Sequence, residues 1–212
     1  MSVRHSLLPT ALAACLVMAG PAAGVTTIII ASARYSTVPP VLIGAPDGSI
    51  NSNIIVRDQQ NRVLPNSAVE ISLRRCAGFV HCASPCDGCA SGQTPRSVLL
   101  FTDPSGVAAF HLRVGASGCP DPPSVEVWAD GVPLATPRFV SLDLDGDLTV
   151  TLGDVAIATG LLGSADPRAD FDGDLVVTAA DVAMVEAHLW TGCVAPVPTL
   201  RRTWGTLKSA YR

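Results

Sequence analysis

Val69-Glu70-Ile71-Ser72-Leu73-Arg74 alternates without a break, apolar at the odd positions and polar at the even ones. A period of two sends successive side chains to opposite faces, so this stretch reads as a β-strand with one buried and one wet face. The pattern recurs further along the chain. Ala108, Phe110, Leu112 and Val114 alternate with Ala109, His111 and Arg113, and Val125, Val127 and Ala129 alternate with Glu126, Trp128 and Asp130. Turn chemistry separates these runs: Asp103-Pro104-Ser105-Gly106 reads as a type I turn with Pro at its second place, and Asp130-Gly131 as a two-residue hairpin. The composition agrees, because 18 Gly and 17 Pro with only 15% charged residues suit short strands joined by many turns. The expected fold class is mainly β, an antiparallel sandwich over residues 25–140. A chain of 212 residues leaves room beside it for one small module, which excludes a large multidomain enzyme. The formal net charge of −4 provides no basic field, and no nucleic-acid partner is expected.

The sharpest chemical signal is an internal repeat. Asp143-Leu144-Asp145-Gly146-Asp147-Leu148-Thr149-Val150-Thr151-Leu152-Gly153-Asp154 recurs 27 residues later as Asp170-Phe171-Asp172-Gly173-Asp174-Leu175-Val176-Val177-Thr178-Ala179-Ala180-Asp181, with every Asp in register. Calcium takes six to eight oxygen ligands, and a twelve-residue loop with carboxylates at places one, three, five and twelve wraps such a shell around one ion. Two calcium sites are therefore expected. In the first, Asp143, Asp145 and Asp147 supply side-chain oxygens, Thr149 its carbonyl, Thr151 a direct or water-mediated contact, and Asp154 the closing carboxylate. Asp170, Asp172, Asp174, Val176, Thr178 and Asp181 repeat those roles. Val150 and Val177 stand where paired loops exchange a short strand contact. A short helix follows each loop, starting at the closing Asp, with Val155, Ala158 and Leu162 on one face of the first and Val182, Val185 and Leu189 on one face of the second. The sixth loop place, where the chain turns sharply and Gly is usual, holds Leu148 and Leu175. A positive φ at those places costs roughly 1–2 kcal/mol each.

Two family resemblances follow from these residues. Asp47-Gly48-Ser49, Ile54 to Asp58, Val63 to Val69, Thr102 to Ala108 and Val125 to Gly131 together resemble the bacterial immunoglobulin-like domains of invasin-type surface proteins. That resemblance implies an Ig-like sandwich acting as a spacer or adhesive module. Residues 141–192, a loop with one following helix, duplicated, resemble the dockerin repeat of cellulosome-type proteins more than an ordinary EF-hand. The implied partner is a cohesin-like or other surface protein. Dockerins of the best-known type carry polar pairs before the last ligand, whereas this chain has Leu152-Gly153 and Ala179-Ala180.

Arg4 and His5, the apolar run from Leu7 to Ala19 and the small residues Ala22 to Gly24 read as a secretory signal over residues 1–24. A retained membrane anchor and lipidation at Cys15 are the alternatives; the apolar run falls short of the ~20 residues that span a bilayer, and no transmembrane segment is expected in the mature chain. Cleavage leaves Cys76, Cys82, Cys86, Cys89, Cys119 and Cys193, an even set that reads as disulfides in an exported chain. Four of them fall in a Cys-rich insertion, residues 76–96. If those four pair among themselves, Cys119 and Cys193 bridge the module to the sandwich; zinc held by the insertion thiolates, with His81, is the competing reading. His111 and His188 receive no role. The tail, residues 193–212, carries Arg201, Arg202, Lys208 and Arg212 and reads as a solvated terminus. No nucleophile elbow or phosphate loop accompanies the acidic loops, so no enzyme is expected. The function expected is a secreted or surface protein whose calcium-dependent module docks to another protein, with a calcium-stiffened structural or adhesive protein as the alternative.

Overall fold

The computed structural model describes residues 29–76, 80–92, 96–115, 119 and 125–194. The signal segment, Cys15 and the basic tail from residue 195 onward lie outside the described residues. Among the described residues, eleven strands and two helices follow in chain order: β1 (Val41–Gly44), β2 (Ser52–Ile55), β3 (Ala68–Ser72), β4 (Val80–Cys86), β5 (Ala90–Ser91), β6 (Ser97–Phe101), β7 (Val107–Phe110), β8 (Leu112–Gly115), β9 (Glu126–Ala129), β10 (Val132–Ala135), β11 (Arg138–Ser141), α1 (Leu152–Gly160) and α2 (Ala179–Glu186). The protein is mainly β, as its alternating runs require.

Five strands form one antiparallel sheet in the order β10-β9-β3-β6-β5, while β2 pairs with β7, β4 with β8 and β1 with β11. Val69, Ile71, Leu73, Val98, Val125, Val127 and Ala129 point from the five-stranded sheet into a core shared with Leu42, Ile54, Val56, Ala108, Phe110, Leu112, Val114 and Phe139. The positions that alternate in the sequence are those that are buried. The Asp130-Gly131 turn joins β9 to β10 with both residues at positive φ, 50° and 79°, which gives the twist a two-residue hairpin needs. In the Asp103–Gly106 turn the Gly106 N–H donates to the Asp103 carbonyl at 2.9 Å. The run from Ala108 to Val114 differs from the single strand that its alternation suggests. It breaks at His111, so that β7 continues to β2 and β8 turns to β4. The Cys-rich stretch is also more than an excursion, because β4 and β5 pair with β8 and β6.

β1 pairs with β11 in parallel, in the register Val41 to Arg138 and Leu42 to Phe139. The two faces of the pair serve two cores. Leu42 and Phe139 enter the core of the five-stranded sheet, whereas Val41, Val140 and Leu142 enter a second core with Leu144, Val150, Ala158, Ala169, Phe171, Val177 and Val185. A parallel pair buried on both sides reads as a nearly continuous apolar run, and Val41-Leu42-Ile43 and Phe139-Val140 are such runs.

The six described cysteines form Cys76–Cys119, Cys82–Cys193 and Cys86–Cys89, with Cα separations of 5.5 to 5.7 Å. The expected Cys119–Cys193 bridge does not form. Cys119 exchanges backbone hydrogen bonds with Phe139 and faces Cys76 across the first core, leaving Cys193 beside β4. A covalent tie between the C-terminal segment and the sheets exists nonetheless, through Cys82. Cys82, Cys86 and Cys89, the thiolates that zinc would need, are all spent in disulfides.

Candidate metal centre

The first acidic loop begins where a strand of the second core ends, and the second follows the turn at residues 167–169. Leu142 donates its N–H to the Gly44 carbonyl at 3.1 Å, the last rung beside β1, and Asp143 follows at once. Asp143 is fully buried, and its carboxylate organises the loop: Oδ1 accepts from Gly146 N–H at 2.7 Å and Asp147 N–H at 3.2 Å, Oδ2 from Leu148 N–H at 2.9 Å. Asp145 Oδ1 accepts from Asp147 N–H and Asp147 Oδ1 from Thr149 N–H. The second loop repeats the scheme with Gly173 N–H and Leu175 N–H on Asp170, Asp174 N–H on Asp172 and Val176 N–H on Asp174.

These turns bring carboxylate oxygens of Asp143, Asp145 and Asp147 within 4.8 Å of one another, and those of Asp170, Asp172 and Asp174 likewise. Backbone conformation matches from loop to loop. Gly146 and Gly173 have φ of 84° and 82°, and Leu148 and Leu175 both have φ of 74°. The sixth place thus does demand the left-handed region, and a leucine bears it twice. Three converging carboxylates on a turned backbone are a donor set of hard oxygens, suited to a divalent cation such as calcium or magnesium.

Asp154 and Asp181 stand outside those triads. Asp154 Oδ1 accepts from Leu144 N–H at 2.6 Å and Asp145 N–H at 3.1 Å, and Oδ2 from Thr151 N–H at 2.7 Å and the Thr151 hydroxyl at 3.3 Å. Asp181 does the same for Phe171, Asp172 and Thr178. Thr151 and Thr178 are N-caps, each accepting from the N–H two residues on, and each forms a reciprocal capping box with its Asp. The helices therefore begin at Leu152 and Ala179, not at the closing Asp residues. The Thr-x-x-Asp spacing carried that signal in the sequence. Buried, each closing carboxylate fastens loop start to helix start.

Val150 and Val177 are buried but do not pair with each other. Val150 N–H donates to the Thr191 carbonyl and its carbonyl accepts from Trp190 N–H, while Val177 exchanges the same bonds with Ser164 and Gly163. Each loop is thus laced to the segment leaving the opposite helix. Gly163 and Trp190, again 27 residues apart, both take positive φ there, 78° and 68°. On the helices Ala158 and Val185 are buried and Val155 and Val182 pack beside them. Leu162 falls past the end of α1 and is 48% exposed, its place being taken by Ile157 and Leu161.

One contributor was missed. Arg138, at the start of β11, places Nη2 at 2.8 Å from Asp170 Oδ2, with its own side chain only 16% exposed and that of Asp170 1% exposed. Burial pushes the Asp170 carboxyl upward, but the Arg138 guanidinium and the Gly173 and Leu175 N–H groups outweigh it and hold the group below the usual carboxylate range. Nothing in the local sequence of Arg138 signals this, since its partner lies 32 residues on. His111 and His188 bond to backbone oxygens of Gly48 and Met184.

No protein-family model, curated protein or solved structure matches the chain. Among the described residues, no helix is long and apolar enough to cross a membrane.

Proposed function

We propose that this is a secreted or surface, non-catalytic protein in which residues 141–192 form a dockerin-like module that binds two calcium ions and docks to another protein, carried on an Ig-like sandwich. The observation that carries this reading is the identity of the two loops: the same three carboxylates converge, with the same φ at the fourth and sixth places, at a spacing of 27 residues. Asp143, Asp145 and Asp147 would hold one ion and Asp170, Asp172 and Asp174 the other, with the Thr149 and Val176 carbonyls beside them, while Thr151, Asp154, Thr178 and Asp181 keep the capping bonds that fix the loop ends. Calcium would supply the positive charge that lets three carboxylates share one turn. Titration calorimetry with circular dichroism tests it: two binding events and a gain in helical signal over chelated protein are expected, and millimolar calcium without binding heat would end the calcium reading. Capture of one surface or secreted protein, lost on chelation or on deleting residues 141–192, is the expected mark of docking.

The structural alternative draws support from three fastenings of the repeats. The repeats are fastened to the sheets by Cys82–Cys193, by Arg138 and Asp170 and by a core that takes in Val41, Ala45 and Val140. A module that only stiffens its neighbour would be built this way, and calcium would then raise the unfolding temperature without any partner being captured.

A further inference from the structure

We propose that Arg138 is a resident counter-ion of the second acidic loop, one that holds the loop closed when calcium is scarce and competes with calcium for Asp170. This inference rests on the calcium reading above. Arg138 belongs to β11, not to the loop, and its N–H is held by the Pro40 carbonyl at 3.0 Å, so the guanidinium is anchored on the sheet side of the joint. Gly173, at the fourth place of the loop, rests directly on that platform: a Cβ added there would lie 3.1 Å from Val41 Cγ2 and 3.7 Å from Arg138 Nη2. The loop is therefore seated against the strand pair with its buried first carboxylate on the guanidinium. Asp172 and Asp174 converge on the same point, and their mutual repulsion is opposed by the one positive charge already in place. A divalent ion entering this triad must share Asp170 with that charge. A divalent ion and a guanidinium sharing one carboxylate repel enough, even in wet surroundings, to weaken binding roughly tenfold.

Arg138→Gln keeps hydrogen-bonding capacity and removes the charge; Arg138→Lys keeps the charge. The effects should run in opposite directions. In chelator Arg138→Gln should melt below the wild type by several degrees, whereas Arg138→Lys stays close to it. In an Asp143→Asn, Asp145→Asn background that silences the first loop, calorimetry with calcium should show roughly tenfold tighter binding for Arg138→Gln than for Arg138 itself. A purely structural arginine would lower the melting temperature equally with and without calcium and would not tighten binding. Wild-type protein that binds calcium while Arg138→Gln leaves affinity unchanged or weaker overturns the inference and spares the calcium reading. Absence of binding heat in every chain, wild type included, overturns both. Should Arg138→Gln fail to fold, the Arg138→Lys chain decides: a calcium affinity tighter than wild type by the same factor would refute competition by charge.

Discussion

Leu175 stands at φ 74° and is 68% exposed, so it bears the left-handed backbone while giving little packing in return. A non-glycine residue pays roughly 1–2 kcal/mol for that region, and Leu175→Gly should recover it. The glycine also loosens the unfolded chain, at a cost of about 0.5–1 kcal/mol, so the net gain is up to about 1 kcal/mol. For a chain of this size that corresponds to a rise of about 2–4 °C in Tm. Leu175→Ala is the control that isolates the cause, since it removes the side chain and keeps the left-handed penalty. At an ordinary strand or helix position alanine is the more stable by about 0.5–1 kcal/mol. Here the order should reverse, with glycine above alanine by about that amount. Leu148→Gly should gain less, because Leu148 is half-buried and its side chain lies against Gly115, whose added Cβ would collide with it. Thermal unfolding followed by circular dichroism in chelator measures all three. An alanine variant as stable as the glycine variant would refute the strain argument.

The Cys82–Cys193 bridge spans 111 residues, and a loop of that order stabilises by about 4–5 kcal/mol in the chain-entropy account, so a Cys82→Ser, Cys193→Ser chain should unfold at markedly lower denaturant concentration. Unreduced peptide mapping checks the pairing itself and should find Cys76 with Cys119. Asp154→Ala removes an acceptor of four hydrogen bonds from a fully buried position. With charge-assisted bonds worth about 1.5–3 kcal/mol each and not additive, it should destabilise even chelated protein by about 2–4 kcal/mol, measured by urea unfolding. A loss confined to calcium-loaded protein would contradict the capping role. In acid, Asp170 and three carboxylates outside the loops contribute to the response. The Ser105 hydroxyl and Val107 N–H hold Asp103 low, the Arg168 guanidinium holds Asp166 low, and Arg62 and Gln60 N–H outweigh the burial that raises Asp58. Their folded values lie below the unfolded value near 3.9, so their stabilisation is complete above it and is lost as pH falls from about 4 through the folded values. Tm in chelator should be flat down to about pH 5 and fall below about pH 4.

The strands were readable wherever burial was one-sided. Val69, Ile71, Leu73, Val125, Val127 and Ala129 announce their core face by alternation, and the Asp130-Gly131 turn names itself through the residues that tolerate positive φ. Alternation does not say which strand lies beside which, and so the break at His111, where β7 and β8 take different partners, was invisible. Nor does spacing determine disulfide pairing, because Cys119 meets Cys76 only through the neighbouring Phe139 ladder. In the loops the Asp spacing gave the two triads, since three side chains on one tight turn converge by local geometry alone. The closing Asp residues look like ligands from their place in the loop, while the Thr-x-x-Asp pattern equally specifies the capping boxes found. Arg138 was out of reach for a different reason: its role depends on where a strand from one end of the chain's sheets meets a loop folded back from beyond it.

The parallel pairing of β1 with β11 also constrains how the chain reaches this state. Val41 waits for Arg138, 97 positions away, before its ladder can close, and the second core needs Val41 and Ala45 from that same early segment. Contacts of such long separation are entropically slow to form. The acidic repeats, local in sequence, therefore gain their hydrophobic floor only after the sheets have assembled, because Val41, Ala45 and Val140 form part of it.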